Sequence, residues 1–198
     1  MAMNVNLVGY LLIIFIIAIS IKIYFDSETF NLKCIISTVD GNKYCVRERS
    51  KLTLAADKLA NVTNKLKTLV SELGKKYPDR ENIKRLTEGF NPKKISETLP
   101  TSEFTAYSEN KGEKIAFCLD TDKNSGKLID ENTLVFVGIH EISHIATKSV
   151  GHTNEFWTNF KFLLEEAARL SIYTPIDYKK NPQKYCGMTI TDNPFYDF

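Results

Sequence analysis

The apolar and polar positions divide this chain into stretches of different period. Leu7 to Phe25 reads LVGYLLIIFIIAISIKIYF, an apolar run with no alternation and one charge, Lys22, near its far end. In a helix such a run covers roughly 28 Å, close to the thickness of a bilayer core, and a long lysine side chain can reach the headgroups. A cleaved signal peptide wants a basic start and a small-residue cleavage site. No Lys or Arg precedes the run, and Ala18-Ile19-Ser20 is a poor site. A core helix is not normally apolar all round over this length. The run therefore predicts an uncleaved single-pass anchor, residues 1–26, with residues 7–25 in the bilayer. Lys22 and Lys33, set against Asp26 and Glu28, give only a slight lean of the following domain towards the cytoplasm.

Residues 27–100 read as a hairpin and a helical region. Cys34 and Cys45 flank a strand pattern that turns at Asp40-Gly41, so their sulfurs could meet, leaving Cys118 and Cys186 as a second pair. Disulfides would place the domain outside a reducing cytosol, and the sequon Asn61-Val62-Thr63 points the same way. Free cysteines are also common small core residues, so the compartment stays open. Leu52, Ala55, Leu59, Val62, Leu66, Leu69 and Leu73 recur at alternating steps of 3 and 4, a helical seam closed by Gly74 and Pro78. The seam suits either a homodimeric coiled coil through residues 52–73 or an amphipathic helix packed on its own domain. Three heptads favour the second. Asp79 to Phe90 predicts a short helix, and Asn91-Pro92 and Leu99-Pro100 mark a loop region.

Residues 101–198 change character. Glu103 to Ser108 and Lys114 to Leu119 read as strands joined by the loop Glu109 to Glu113. A polar loop from Asp120 to Asp130 precedes an apolar helix that starts at Thr133 and runs into HEISH, His140 to His144. The fold class is α+β: one N-terminal transmembrane helix, then a small domain of helices and a small antiparallel or mixed sheet. A length of 198 residues with 43% hydrophobic and 25% charged positions suits one domain. The net charge of +2 is too mild for a nucleic-acid partner, and none is expected.

The chain has three histidines, all between His140 and His152. Positions four apart share a helix face, so His140 and His144 can grip one metal ion, with Glu141 beside them to take a proton from a metal-bound water. Zinc would activate that water and polarise the carbonyl it attacks. Unpaired His and Glu on so apolar a helix would be costly, which argues against chance. A catalytic site needs a third protein ligand. His152 is favoured, because Gly151 lets the chain turn back and Thr153 caps the next helix. Glu165 and Glu166 on that helix are the rivals.

His140-Glu141-Ile142-Ser143-His144, then Gly151-His152-Thr153, then Phe156-Trp157 resembles the WLM family of zinc metalloproteases and its SprT-like relatives. The resemblance covers about Phe104 to Leu170, roughly a third of the chain. It implies a zincin-like metallopeptidase domain with Zn2+ on His140, His144 and His152, Glu141 as catalytic base, and the strand Ile115 to Leu119 as the edge that receives an extended protein or peptide substrate. The loop between His144 and His152 is two residues longer than the family pattern, so greater mobility is expected there. The DNA-linked role of well-known members does not carry over, since this chain has no basic tail and no zinc-finger cysteines. The layout of anchor, heptad helix, hairpin, motif and Tyr185-Cys186-Gly187-Met188 tail also resembles metalloprotease-like proteins of large DNA viruses, which implies a host or virion membrane. The tail holds Tyr173, Tyr178, Tyr185 and Tyr196, any of which could donate to an oxyanion. The alternative to a peptidase is a structural or interaction membrane protein that keeps a zincin fold with structural or relict zinc.

Overall fold

The computed structural model describes residues 5–27, 31–123 and 125–197. Residues 1–4 of the anchor segment and Glu28 lie outside them. Helix α1, Val5–Asp26, carries the apolar run, and its side chains from Tyr10 to Phe25 are exposed. Among the described helices it is the one long and apolar enough to cross a membrane.

Strands β1, Leu32–Ile36, and β2, Lys43–Arg47, form the expected antiparallel hairpin. Cys34 stands opposite Cys45, their Cα atoms 3.9 Å apart, and the two are bridged. The turn works because Gly41 adopts φ +70 and Asp40 accepts from the Asn42 N–H. Arg47 and Arg49, at the end of β2, then meet the buried carboxylates Glu97 and Asp120, which fastens the hairpin to the rest of the domain.

Helix α2, Leu52–Lys76, carries the heptad seam. Ala55, Leu59, Val62, Leu66, Leu69 and Leu73 are all buried, and α2 packs against β2, α3 (Glu81–Gly89) and α4 (Glu131–Ala146). The seam is spent inside one chain, which is the second of the two arrangements its period allows. Gly74 is not a stop. It lies within the helix, where a Cβ would stand 3.0 Å from Thr87 Cγ2, and its smallness admits α3. The sequon also changes meaning. Asn61 to Thr63 sits mid-helix with Val62 and Thr63 buried, and Asn61 donates to Glu131, so no surface loop is there to be glycosylated.

A mixed three-stranded sheet follows in the order β3-β5-β4. Strand β3, Ile95–Glu97, runs parallel to β5, Lys114–Phe117, while β4, Ala106–Glu109, pairs antiparallel on the other side. Strand β3 lies where the sequence predicts loop, because three residues are too few to show a period. The resemblance implies a substrate edge at Ile115 to Leu119, in and just past β5. Strand β5 is the centre of the sheet, and β4 is the edge beside the motif helix. Helix α4 starts at Asp130, whose side chain accepts from the Thr133 N–H at 2.8 Å. Helix α5, Asn154–Arg169, follows Thr153, and a tail hairpin of β6, Gln183–Tyr185, and β7, Met188–Ile190, closes the domain. The second disulfide, Cys118–Cys186, ties that tail to the end of β5.

One apolar cluster draws on both sides of the 100/101 boundary, from Tyr44, Leu59 and Ile83 to Phe117, Leu134 and Phe160. The two regions are therefore one packed body of α+β class. Leu66 lies at its centre, with its Cδ1 3.0 Å from where a Cβ on Gly138 would stand. Leu66→Ala is expected to lose about 2–5 kcal/mol. Leu54→Ala, on the exposed face of the same helix, should change stability by no more than ~0.5 kcal/mol. Urea unfolding of the full chain in detergent, followed by near-UV circular dichroism, checks this. Equal losses would mean that the seam is not core.

Candidate metal centre and its cleft

His140 and His144 leave the same face of α4, their ring centroids 5.0 Å apart, as four-residue spacing requires. His152 returns from the α4–α5 loop to stand 5.0 Å from His140 and 4.9 Å from His144. The Nε2 atoms of His140 and His152 are 3.1 Å apart, and one ring nitrogen from each of the three lies within 4.8 Å of the others. Ligands about 2.05 Å from a tetrahedral zinc stand roughly 3.3 Å apart, so this donor set fits such an ion. No other His, Cys, Asp or Glu joins the cluster among the described residues. Glu165 is exposed on α5, while Glu166 is buried against Lys76, Tyr77 and Arg169, so neither rival competes with His152.

The rings are held by aromatic side chains from the first turns of α5. Phe156 stacks on His144 with centroids 4.3 Å apart, Phe160 meets His140 at 5.2 Å, and Trp157 lies 5.7 Å from His152. This packing removes water, and the effect on titration follows. Burial first, then the neighbouring imidazoles, lowers His140 to about 3 and His144 to about 4, so both are neutral with lone pairs free to ligate. Glu141 is 4% exposed, and burial pushes its carboxyl up to about 8.

The loop that carries His152 is clamped by opposite charges. Lys111, at the tip of the β4–β5 hairpin, donates to the carbonyls of His144, Thr147 and Ser149 at 3.1, 2.7 and 2.8 Å. Glu155, in the first turn of α5, accepts from the Lys148 and Ser149 N–H groups and the Ser149 hydroxyl. Arg85 donates to Ala146 O, so two cations sit at the negative end of α4. A chain of amides and hydroxyls, Asn82 to Asn159 to Thr147 to the Ser143 carbonyl, adds a second tie. Gly151 then takes φ +83 and turns His152 inward. Sequence reasoning missed Lys111, Arg85 and Glu155, since an isolated Lys, Arg or Glu in a charged chain carries no local signal of a long-range partner.

The triad lies between two cavities. One, about 410 Å³, has His140, Glu141 and His152 at its mouth and the tail hairpin as a wall. The other, about 510 Å³, is lined by Phe104, Tyr107, Lys111, His144 and Val150. Ala106 of β4 borders both, so the two form a cleft along the free edge of the sheet. Of the four tail tyrosines, Tyr185 alone lines the cleft, and its hydroxyl donates to Thr105 O at the foot of β4 at 3.0 Å. Tyr173 and Tyr178 are buried against Phe136.

A protein of Acanthamoeba polyphaga mimivirus, the uncharacterized protein R325, is 31% identical over 190 residues, covering 90% of this chain and 93% of that protein. This chain belongs to the same family as the mimivirus protein. The two chains match over almost their whole length. Two shorter matches, each over 83 residues, are to uncharacterized proteins 042R of Invertebrate iridescent virus 3, at 35% identity, and 136R of Invertebrate iridescent virus 6, at 37%. They cover 42% and 41% of this chain and 50% and 44% of those proteins. All three relatives are viral, in line with the viral layout that the sequence resembles. No protein-family model and no solved structure matches the chain.

Lys111→Met and Glu155→Gln, which replace none of the three imidazoles, are expected to weaken binding of added zinc about 10–100-fold by releasing the loop. Competition titration against a chelating dye measures it, and unchanged affinity in both would remove the clamp from the site's design. The Glu155 contacts also carry a pH signature. Backbone N–H groups hold the Glu155 carboxyl down at about 2, against an ordinary 4.5. Its contribution is present above pH 4.5 and is lost as pH falls through 2. Hydrogen exchange at the Lys148 and Ser149 amides, corrected for intrinsic rates, should therefore lose protection across that window and not above it.

Proposed function

We propose that this chain is a membrane-anchored, zinc-dependent peptidase of the WLM and SprT-like zincin kind. The observation that carries the reading is three converging imidazoles with a buried carboxyl group beside them, open to a cleft that follows a free strand edge. His140, His144 and His152 would hold the zinc, which would supply polarisation of the scissile carbonyl and activation of a water molecule. The protein's own groups do the rest. The unpaired edge of β4 offers main-chain N–H and C=O groups to an extended polypeptide and lays it across the triad. Glu141 accepts the proton of the attacking water and returns it to the leaving amine. Tyr185 holds the Thr105 carbonyl and so fixes the foot of the edge strand.

Helix α1 would be the anchor, and the two disulfides favour an oxidising side of the membrane for the domain. The alternative, an interaction protein with a structural zinc, is the weaker reading. Structural zinc sites are closed by a fourth side chain, whereas these three imidazoles face open space.

Elemental analysis of the full chain in detergent should give near-stoichiometric zinc, sharply reduced in His152→Ala. Glu141→Gln should keep the zinc and lose peptide turnover by about 10²–10⁴-fold. Turnover retained in Glu141→Gln would remove that residue from its role. A folded wild type without zinc would overturn the reading.

A further inference from the structure

The tail hairpin β6–β7 holds no ligand of the metal centre, yet it builds one wall of the cleft. Met188 and Ile190 of β7 face Phe136 and Val137 of α4 and Trp157 and Phe160 of α5 around the 410 Å³ cavity. That volume lies within the range of built ligand sites. Its lining is mainly apolar, and Met188 and Trp157 stay 48% and 38% exposed at its rim instead of packing into the core. Asp192, also on the rim, is turned to Lys179 at 3.4 Å. A charged side chain entering there would shed water and find few partners, while an apolar one would gain.

Strands of three residues each are too short to hold a position alone. Fastenings hold this hairpin: the Cys118–Cys186 bridge, the Cys186 N–H to Asp120 O at 2.9 Å, the Gly187 N–H to Thr121 O at 3.0 Å, and the Tyr185 hydroxyl on Thr105 O. Both disulfide sulfurs belong to buried residues at the junction of the central strand and the tail.

We propose that the hairpin β6–β7, fixed by Cys118–Cys186, is the specificity wall of the cleft. Its substrate is an extended polypeptide with a bulky aliphatic or aromatic side chain immediately beside the scissile bond. This rests on the peptidase reading above. The cavity takes the side chain, the edge of β4 takes the backbone, and the tail sets which side chains fit.

The test uses the full chain in detergent with zinc and a set of peptides that differ only at the residues flanking one bond. Leu, Phe or Met beside the cut should exceed Gly, Asp or Lys by about 10–100-fold in kcat/KM. Trp157 is the chain's single tryptophan, so its fluorescence reports filling of the cavity independently of cleavage. In Glu141→Gln it should shift with the Phe peptide and not with the Asp peptide. Met188→Lys, at an exposed position, should abolish both the preference and the shift while zinc content stays at the wild-type level. Cys118→Ser with Cys186→Ser should do the same, and if that pair fails to fold, Met188→Lys carries the test. Cleavage with no side-chain preference, a preference for basic residues that would point to Asp192, or wild-type selectivity in Met188→Lys overturns the proposal. A selective Trp157 shift with no cleavage by the zinc-loaded wild type would instead uphold the wall and overturn the peptidase reading.

Discussion

Helix α4 is buried along almost its whole length, and the domain is arranged around that burial. From Thr133 to Ala146 only His140 and His144 are not fully covered. Helices α2, α3 and α5 and the strands β4 and β5 all pack on it. A helix so placed must satisfy its polar groups from within. Ser143 does so by donating to Ile139 O, and Thr147 by donating to Ser143 O. Two groups of the helix are exceptions, the Thr133 hydroxyl, which has no hydrogen-bond partner, and the Glu141 carboxyl. No cation of the described fold pairs with Glu141, and its carboxyl is raised by burial alone. This unrelieved acid stands beside two imidazoles, His140 and His144, that burial keeps uncharged, and groups shifted in this way cluster at functional sites.

Because α4 is fixed, the site is settled by what happens past its C-terminal end. His152 is one long loop away from its partners, and a free loop would spread it over many positions. Lys111 and Glu155 remove that freedom by seizing the loop's backbone from opposite sides, one through carbonyls and the other through N–H groups. Charge-assisted bonds of this kind are stronger than neutral ones, which lets a loop of unremarkable composition hold His152 against the other two imidazoles. The aromatic cage of Phe156, Trp157 and Phe160 then limits how each ring can turn.

The cleft is assembled from distant parts of the chain. Its floor is α4, one rim is the edge strand β4, the other rim comes from α5, and its end wall is the tail. The Cys118–Cys186 bridge spans 68 residues and joins the sheet's central strand to that wall. Covalent closure of so long a loop is worth most where, as here, the segment has little buried surface of its own.

The sequence by itself determined the elements whose period is written locally. The apolar run of α1, the leucine seam of α2, the Cys34–Cys45 hairpin and the pairing of His140 with His144 all follow from spacing within one element, because helix and strand geometry repeats every few residues. The approach of His152 to that pair was legible too, through Gly151 and the capping Thr153. Only the tertiary structure decided the rest. Three residues of β3 cannot show a period, so their parallel pairing moved β5 from the edge to the centre and made β4 the free edge. Thr63 of the sequon and the seam of α2 turned inward because the neighbouring elements needed that face. Lys111, Glu155 and the tail hairpin gained their roles from partners tens of residues away, and long-range pairing leaves no trace in local pattern.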